Sequence, residues 1–317
     1  MASMRDIKRR KGSIQSTQQI TKAMKLVSTV KLQRSKQHAM DARGYFSYMY
    51  RTVQSMLAKA GTIQHPYITP QECSKKAVIM ITGNRGLAGG YNSNVVKLIT
   101  RGDFKKEDLI IYTLGSKGRE AMARYGYELA EDYSQMIEEP EYVDAMRLSA
   151  NLLNAFKRGE IGEIYLAYTH FKNTVVHEPV LMKLLPVETT GDISLTDTDQ
   201  NDATDDIPMN FEPKEQEALD LIIPKYVTSL IYGGMIESVA SENGARMQAM
   251  DAATSNADEL ISKLTLQYNR ARQGSITQEL TEIIAGANAI SLTKFCLRYC
   301  VRRIRKRILH RYLPERE

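Results

Sequence analysis

The sequence predicts an α/β protein with long helices: an antiparallel coiled coil of its N- and C-terminal helices, with an α/β domain inserted between them. Three observations predict it. Residues 4–60 contain no proline, and their only glycines are Gly12 and Gly44. Residues 245–280, "ARMQAMDAATSNADELISKLTLQYNRARQGSITQEL", also read as unbroken helix, with the single glycine Gly274. Between these stretches, short apolar runs alternate with amphipathic ones, the pattern of strands and helices building a largely parallel sheet.

In the first helix, Ile20, Met24, Val27 and Val30 recur at helical spacing and form a thin apolar stripe. At about 1.5 Å per residue, a helix of this extent is roughly 80 Å long, longer than a compact domain is wide. "HPYITP" (65–70) ends the pattern. "KKAVIMITGNRGLAGGYNSNVVKLI" reads as a strand, a glycine-rich turn and a helix. "EDLIIYTLG" (107–115) is a second strand, followed by the helix "SKGREAMARYG". Residues 143–159 form another helix, and 163–173 and 178–187 form further strands. This succession makes the inserted domain Rossmann-like.

Residues 188–206 hold seven acids and no Lys or Arg, the composition of a solvated loop. From about Glu215 the chain is helical again, with Pro224 and the pair Gly233-Gly234 expected to bend its start. Met247, Met250, Thr254, Ala257, Ile261, Leu264 and Tyr268 are spaced 3-4-3-4-3-4. That is a heptad seam and predicts a left-handed coil. Its natural partner is the N-terminal helix. The expected division is 1–62, N-terminal coiled-coil helix; 63–210, inserted α/β domain; 211–290, C-terminal coiled-coil helix; and 291–317, a basic tail.

The net charge of the 317-residue chain is +6, unevenly spread. Residues 5–51 hold 12 Lys/Arg against Asp6 and Asp41, and residues 292–317 hold nine against two acids. Basic ends around an acidic middle suit acidic partners, whether nucleic acid, anionic lipid or an acidic protein surface. No apolar run approaches the ~18 residues of a membrane span, and "MASMRDIKRRKGSIQ" lacks the apolar core of a signal peptide. Cys73, Cys296 and Cys300 are too few and too irregular for a disulfide framework. Cys296 and Cys300 share a helix face, but only His310 is near, short of the ligands a metal needs.

The turn "TGNRGLAGGYNSN" (82–94) stands where a phosphate cradle would. It lacks Gly-Lys-Ser/Thr and does not fit G-x-G-x-x-G, so a tight turn using glycine at positive φ is the simpler reading. The five histidines are scattered, and no set of groups asks for catalysis. Arg246, Arg270, Arg272 and Gln273 lie on or beside a narrow coil. They are either solvated faces or contacts to a partner's acidic loops.

Four blocks, in order, resemble the gamma subunit of F-type ATP synthase over about residues 2–290: "RRKGSIQSTQQITKAMKLVSTVKL", "NRGLAGGYNSN", "SENGARMQAMDAATSNADELI" and "YNRARQGSITQELTEIIAGANAI". The resemblance implies a rotor that is not itself catalytic and binds no cofactor. Its coil is the axle inside a hexamer of catalytic (beta) and non-catalytic (alpha) subunits. Its foot meets the epsilon subunit and the c-subunit ring. It couples proton or sodium ion flow to ATP synthesis on other chains, and sits peripherally on the cytoplasmic face of a bacterial plasma membrane. Arg272, Gln273 and Thr277 match the family's upper contact with a catalytic-subunit loop. Met24, Arg246 and Lys25 match positions facing the acidic lever of the catalytic subunits, and Lys97 matches a lower basic contact to it. Arg85 matches a signature residue, structural first, and Tyr226 the foot region near the c ring. Ala88 stands where the family often has cysteine. The family usually ends near "GANAI", whereas this chain continues with a basic stretch in which Leu297, Val301, Ile304, Ile308 and Tyr312 form a helical stripe. Two other classes remain for comparison: a basic coil holding nucleic acid, and an enzyme using the glycine turn for a nucleotide. Neither explains four ordered blocks, and no nucleic-acid partner is expected.

Overall fold

The computed structural model describes residues 4–59, 65–71, 73–187 and 215–312; the acidic run 188–206 lies outside the described residues, as do the side chains of Cys296, Cys300 and most of the basic tail. The elements are α1 (Met4–Lys59), β1 (Lys76–Ile81), α2 (Tyr91–Thr100), β2 (Leu109–Leu114), α3 (Ser116–Tyr125), β3 (Glu128–Asp132), α4 (Tyr142–Lys157), β4 (Glu163–Phe171), β5 (His177–Leu185) and α5 (Glu215–Tyr312). They belong to two compact units: Ile20–Thr254, and Met1–Gln19 with Ser255–Glu317.

The larger unit is built on a five-stranded sheet of order β3-β2-β1-β4-β5, parallel except for β5, which runs antiparallel to β4. β1 is central and buried from Ala77 onward, which is why "AVIMI" is continuously apolar. One face of the sheet packs Val78 and Met80 against Val95 and Ile99 of α2 and Met122 of α3. The other packs Ile79 and Ile81 with Leu148, Leu152 and Phe156 of α4, Val53 and Met56 of α1, and Ile223, Val227, Ile231 and Met235 of α5. β3 has no counterpart in the sequence reading. Its "ELAED" is almost wholly exposed and is held by pairing with Ile110 and Ile111 of β2. Charged side chains suit such an edge strand and erase its apolar signal.

α5 runs unbroken through Pro224 and the glycine pair. Gly234 is needed for proximity: a Cβ there would stand 2.9 Å from Leu166 Cδ2, so the helix backbone can lie close to β4 only without one. An eighteen-residue window of α5 reaches mean hydropathy 1.2, but 67% of it is buried inside the protein, as in a core helix.

Of the apolar stripe expected on α1, Met24 is half-buried and the other three residues face outward. Ile20 is 60% exposed, Val27 58% and Val30 51%. The inward line is instead Thr21, Lys25, Ser28 and Leu32, with Ser28 and Leu32 buried and the other two half-buried. These positions keep the 3-4 spacing of a coil. A search for apolar residues missed them because three of the four are polar.

His65 is buried, and burial lowers its pKa below 6.5 although Asp220 opposes the shift. Burial likewise lowers the pKa of His177, the backbone at Thr174 opposing. Both are therefore held neutral when folded. Below about pH 6.5 the unfolded chain takes up protons that the folded one resists, so stability falls as pH drops through that value. Thermal melts of the isolated chain should show midpoints declining between about pH 7 and 5.5, less steeply with His65→Gln and His177→Gln combined. Urea melts should separate the two helix faces. Ile231→Ala lowers stability by about 2–5 kcal/mol through a core cavity, whereas Val27→Ser stays within about 0.5 kcal/mol.

Candidate functional site

The seam of the larger unit is held by polar cross-links. Thr21 Oγ1 and Thr254 Oγ1 are 2.8 Å apart. The Thr254 hydroxyl also lies 2.7 Å from the Met250 carbonyl of its own helix. One turn on, Lys25 Nζ lies 2.6 Å from Asp251 Oδ1. As numbering rises on α1 it falls on α5, so the helices run antiparallel. Met250 of the predicted heptad is buried, and Met247 and Thr254 are half-buried. Threonines and a solvent-facing ion pair fix register while contributing little attraction, since pairs of this exposure are worth about 0–1 kcal/mol.

In the smaller unit the heptad continues with Ala257 and Leu264 buried and Ile261 and Tyr268 half-buried. Gln18 Nε2 donates to Asp258 Oδ1. Between Tyr268 and Ile290 the side chains are exposed except Ala271 and Ser275, which are half-buried. Arg272, Gln273 and Thr277 are all exposed, and the Thr277 hydroxyl donates to the Gln273 carbonyl at 2.9 Å. Gln273 and Thr277 are four apart and share a helix face. Ile276, Leu280, Ile283 and Ile284 are exposed beside them.

Back in the larger unit, the glycine turn is tied down by its own side chains. Asn92 accepts from the Gly83 amide at 2.8 Å, and Asn84 accepts from the Ser116 amide at 2.9 Å and donates to the Ser134 carbonyl at 2.8 Å. Leu87 and Gly89 adopt positive φ. With the Gly83 amide bonded internally, the turn is structural and does not present that donor to an anion.

Arg246 fastens the turn to α5. Its guanidinium pairs with Glu242, each side chain only 12% exposed, and reaches the Arg85 and Gly86 carbonyls at 3.5 and 3.4 Å. The Glu242 carboxylate also lies close over Gly83, where a Cβ would fall 2.5 Å from it. So Arg246, expected to face a partner, is largely committed within the chain. Arg85 divides its roles: its carbonyl takes part in the turn, while its guanidinium is 79% exposed, with Glu138 4.0 Å away.

Met24 and Lys25 are half-buried along the seam, in the unit that also holds Arg246. Lys97 is exposed in the last turn of α2, where a cation suits the helix dipole. Tyr226 is buried against Tyr50, ring centroids 6.5 Å apart, and burial raises its pKa. Its side chain belongs to the core and cannot itself be a surface contact. Arg272, Gln273 and Thr277 lie in the other unit. Sequence reasoning missed Glu242 and Asp251. Each sits where an acid on α5 meets a cation, and the i,i+4 spacing of Glu242 and Arg246 was the one signal available.

Arg246→Ala leaves Glu242 desolvated without a partner and should lower stability by about 1–3 kcal/mol. Lys25→Ala should cost under about 1 kcal/mol. Denaturant titration of both variants measures the difference.

The ATP synthase family matches residues 3–290. The ATP synthase gamma chain of Lachnoclostridium phytofermentans is 60% identical over 92% of this chain and all of its own length. The sodium ion specific ATP synthase gamma chain of Acetobacterium woodii is 41% identical over 91% of this chain and 99% of its own. Among solved structures, a chain of the Euglena gracilis mitochondrial ATP synthase rotor shares the fold with TM-score 0.61 at 17% identity, over 86% of this chain and 98% of that one. The chain belongs to the ATP synthase gamma-chain family, whose members are non-catalytic subunits of that complex.

Proposed function

We propose that this chain is the rotating central shaft of an ATP synthase, carrying torque between a membrane c ring and a catalytic hexamer of alpha and beta subunits, with the epsilon subunit at its foot. The observation that carries the reading is α5. Within one continuous helix it supplies core residues Ile223–Met235 to the α/β domain and then a coil seam whose buried line is Met250, Ala257 and Leu264. A torque-bearing shaft needs the first for anchorage, and the second to leave the rest of its surface for the subunits around it. A single asymmetric shaft also meets three equivalent catalytic subunits differently, and differential contact is what shifts a conformational equilibrium.

In this reading Arg272, Gln273 and Thr277 form the upper contact with a catalytic subunit. Met24, Lys25 and the exposed Lys97 face the acidic levers, where basic charge favours encounter. Arg246 serves that contact from behind, by holding the glycine turn on α5. Tyr226 supports the foot from within. The working division is the axle helices 1–62 and 211–290, the α/β domain 63–210 as foot, and a basic tail at 291–317. The complex stands on the cytoplasmic face of a bacterial plasma membrane.

Mixing the chain with the two large subunits of its source should give one copy per six large subunits, with ATP hydrolysis depending on its presence. Absence of any such assembly would overturn the reading. Arg272→Ala with Gln273→Ala should lower reconstituted turnover severalfold while the melt of the isolated chain is unchanged. Unaltered turnover would remove both from the contact set. Truncation after Ile290 should leave turnover within about twofold, because the family match ends there.

A further inference from the structure

Past its coiled-coil partner, α5 goes on alone. In the smaller unit Gln18 of α1 meets Asp258 of α5. Met4, the first described residue of α1, stands fourteen residues before Gln18, and Arg272 stands fourteen after Asp258. In an antiparallel pair the two come level, so α1 reaches no further than about Arg272. Among the described residues, no other helix accompanies α5 from Gln273 to Tyr312. At about 1.5 Å per residue that is roughly 60 Å of helix. A helix without tertiary packing is marginal in water, and a surface to lie on is what makes it stable. The first part, to Ile290, falls within the family match and carries the residues proposed to meet a catalytic subunit. The last part lies beyond that match, so work shared by the family does not account for it.

The composition of this last part is one-sided. Between Lys294 and Arg311 the sequence holds eight Lys/Arg and no acid, and six of the eight are Arg. Leu297, Val301, Ile304, Ile308 and Tyr312 are spaced 4-3-4-4, which keeps them on one stripe of a helix, and the backbone is helical throughout. Val301 is 57% exposed and Arg303 is exposed as well, so at this point the helix is not covered by the rest of the described chain. Like charges spaced along one helix repel and oppose its formation. An anionic surface relieves that repulsion, and an apolar layer beneath the charges takes up the stripe.

We propose that the segment 294–312 docks on an anionic lipid surface, lying in the interface with its stripe toward the acyl chains and its cations among the phosphate headgroups. A basic amphipathic helix is the form that binds such surfaces. A nucleic acid would answer the charge but not a stripe of five apolar residues. An acidic protein groove would answer the stripe, yet it would have to gather enough carboxylates to face eight cations, whereas a bilayer presents phosphates continuously. The preference for arginine fits phosphate as well, since a guanidinium can fork two donors onto it. The binding stands independently of the rotor reading. Its use rests on that reading: a shaft not yet enclosed by the hexamer is held at the membrane where its c ring lies.

The test is flotation of the full chain, beside the chain cut after Ile290, with vesicles of phosphatidylcholine alone or with about 30% phosphatidylglycerol. The full chain should bind the anionic vesicles at least about tenfold more tightly than the neutral ones, and the cut chain should not float. Arg302→Gln, Arg303→Gln and Arg305→Gln together should weaken binding at least about tenfold, because each cation near the surface is worth roughly fivefold. Ile304→Ala with Ile308→Ala keeps every charge and a strong helix former at each site, and should still weaken binding at least about fivefold. A DNA duplex of about 20 base pairs is the control polyanion. Duplex binding as tight as vesicle binding would assign the segment to nucleic acid and overturn the proposal. So would failure of the full chain to float with anionic vesicles, equal flotation of the cut chain, or binding indifferent to the alanine pair. Flotation involves no catalytic subunit, so its failure and a failure of hexamer assembly are read separately.

Discussion

Everything in the larger unit depends on how α5 is seated against the sheet. Between Leu219 and Ala240 the helix is buried on several faces, and Gly234 removes the one side chain that would hold it off Leu166. A helix enclosed on that scale is fixed by packing, since a helix draws most of its stability from tertiary contacts rather than from propensity. Its continuation past Ala240 is therefore aimed by the domain. The partly buried Arg246–Glu242 pair extends the grip by one further turn, clipping the glycine turn onto the same helix. Anchorage of this kind is what lets a rigid helix carry a load without unwinding from its base.

The seam obeys a different constraint. A two-helix coil normally gains cohesion from apolar a and d positions. Here α1 contributes Thr21, Lys25 and Ser28 to that line, and its apolar Ile20, Val27 and Val30 point to solvent. Hydroxyl pairs and a half-exposed ion pair give register with little net attraction. The cohesion missing from the seam must then come from the sheet-bound ends of the helices, where Val53, Met56 and Leu57 of α1 are buried. An outward apolar and basic face on a helix of this kind is intelligible when the surface has a surrounding protein to meet.

Much of this was legible in the sequence, for identifiable reasons. β1, β2, β4 and β5 announce themselves because buried strands must be apolar, and the heptad of α5 because its inward positions are Met, Ala, Ile and Leu. β3 was invisible because an edge strand of Glu and Asp carries no burial signal. The inward face of α1 was misread because apolar residues were assumed to point inward. Hydrophobicity marks the interior of a lone domain, but the surface of a subunit made to sit inside others can be apolar as well. The charge of Arg246 is plain in the sequence, but its pairing with Glu242 is not, because the i,i+4 spacing of the two becomes a clasp only when the glycine turn lies against α5.

A chain that is the shaft of this complex must turn inside the hexamer. The most direct test fixes the reconstituted hexamer to a surface, attaches a bead to the α/β domain through an engineered cysteine at exposed Lys105, and follows the bead in ATP. The account predicts unidirectional rotation with three equivalent dwells per turn, one for each catalytic subunit. Sustained ATP hydrolysis by a complex whose bead never rotates would contradict it.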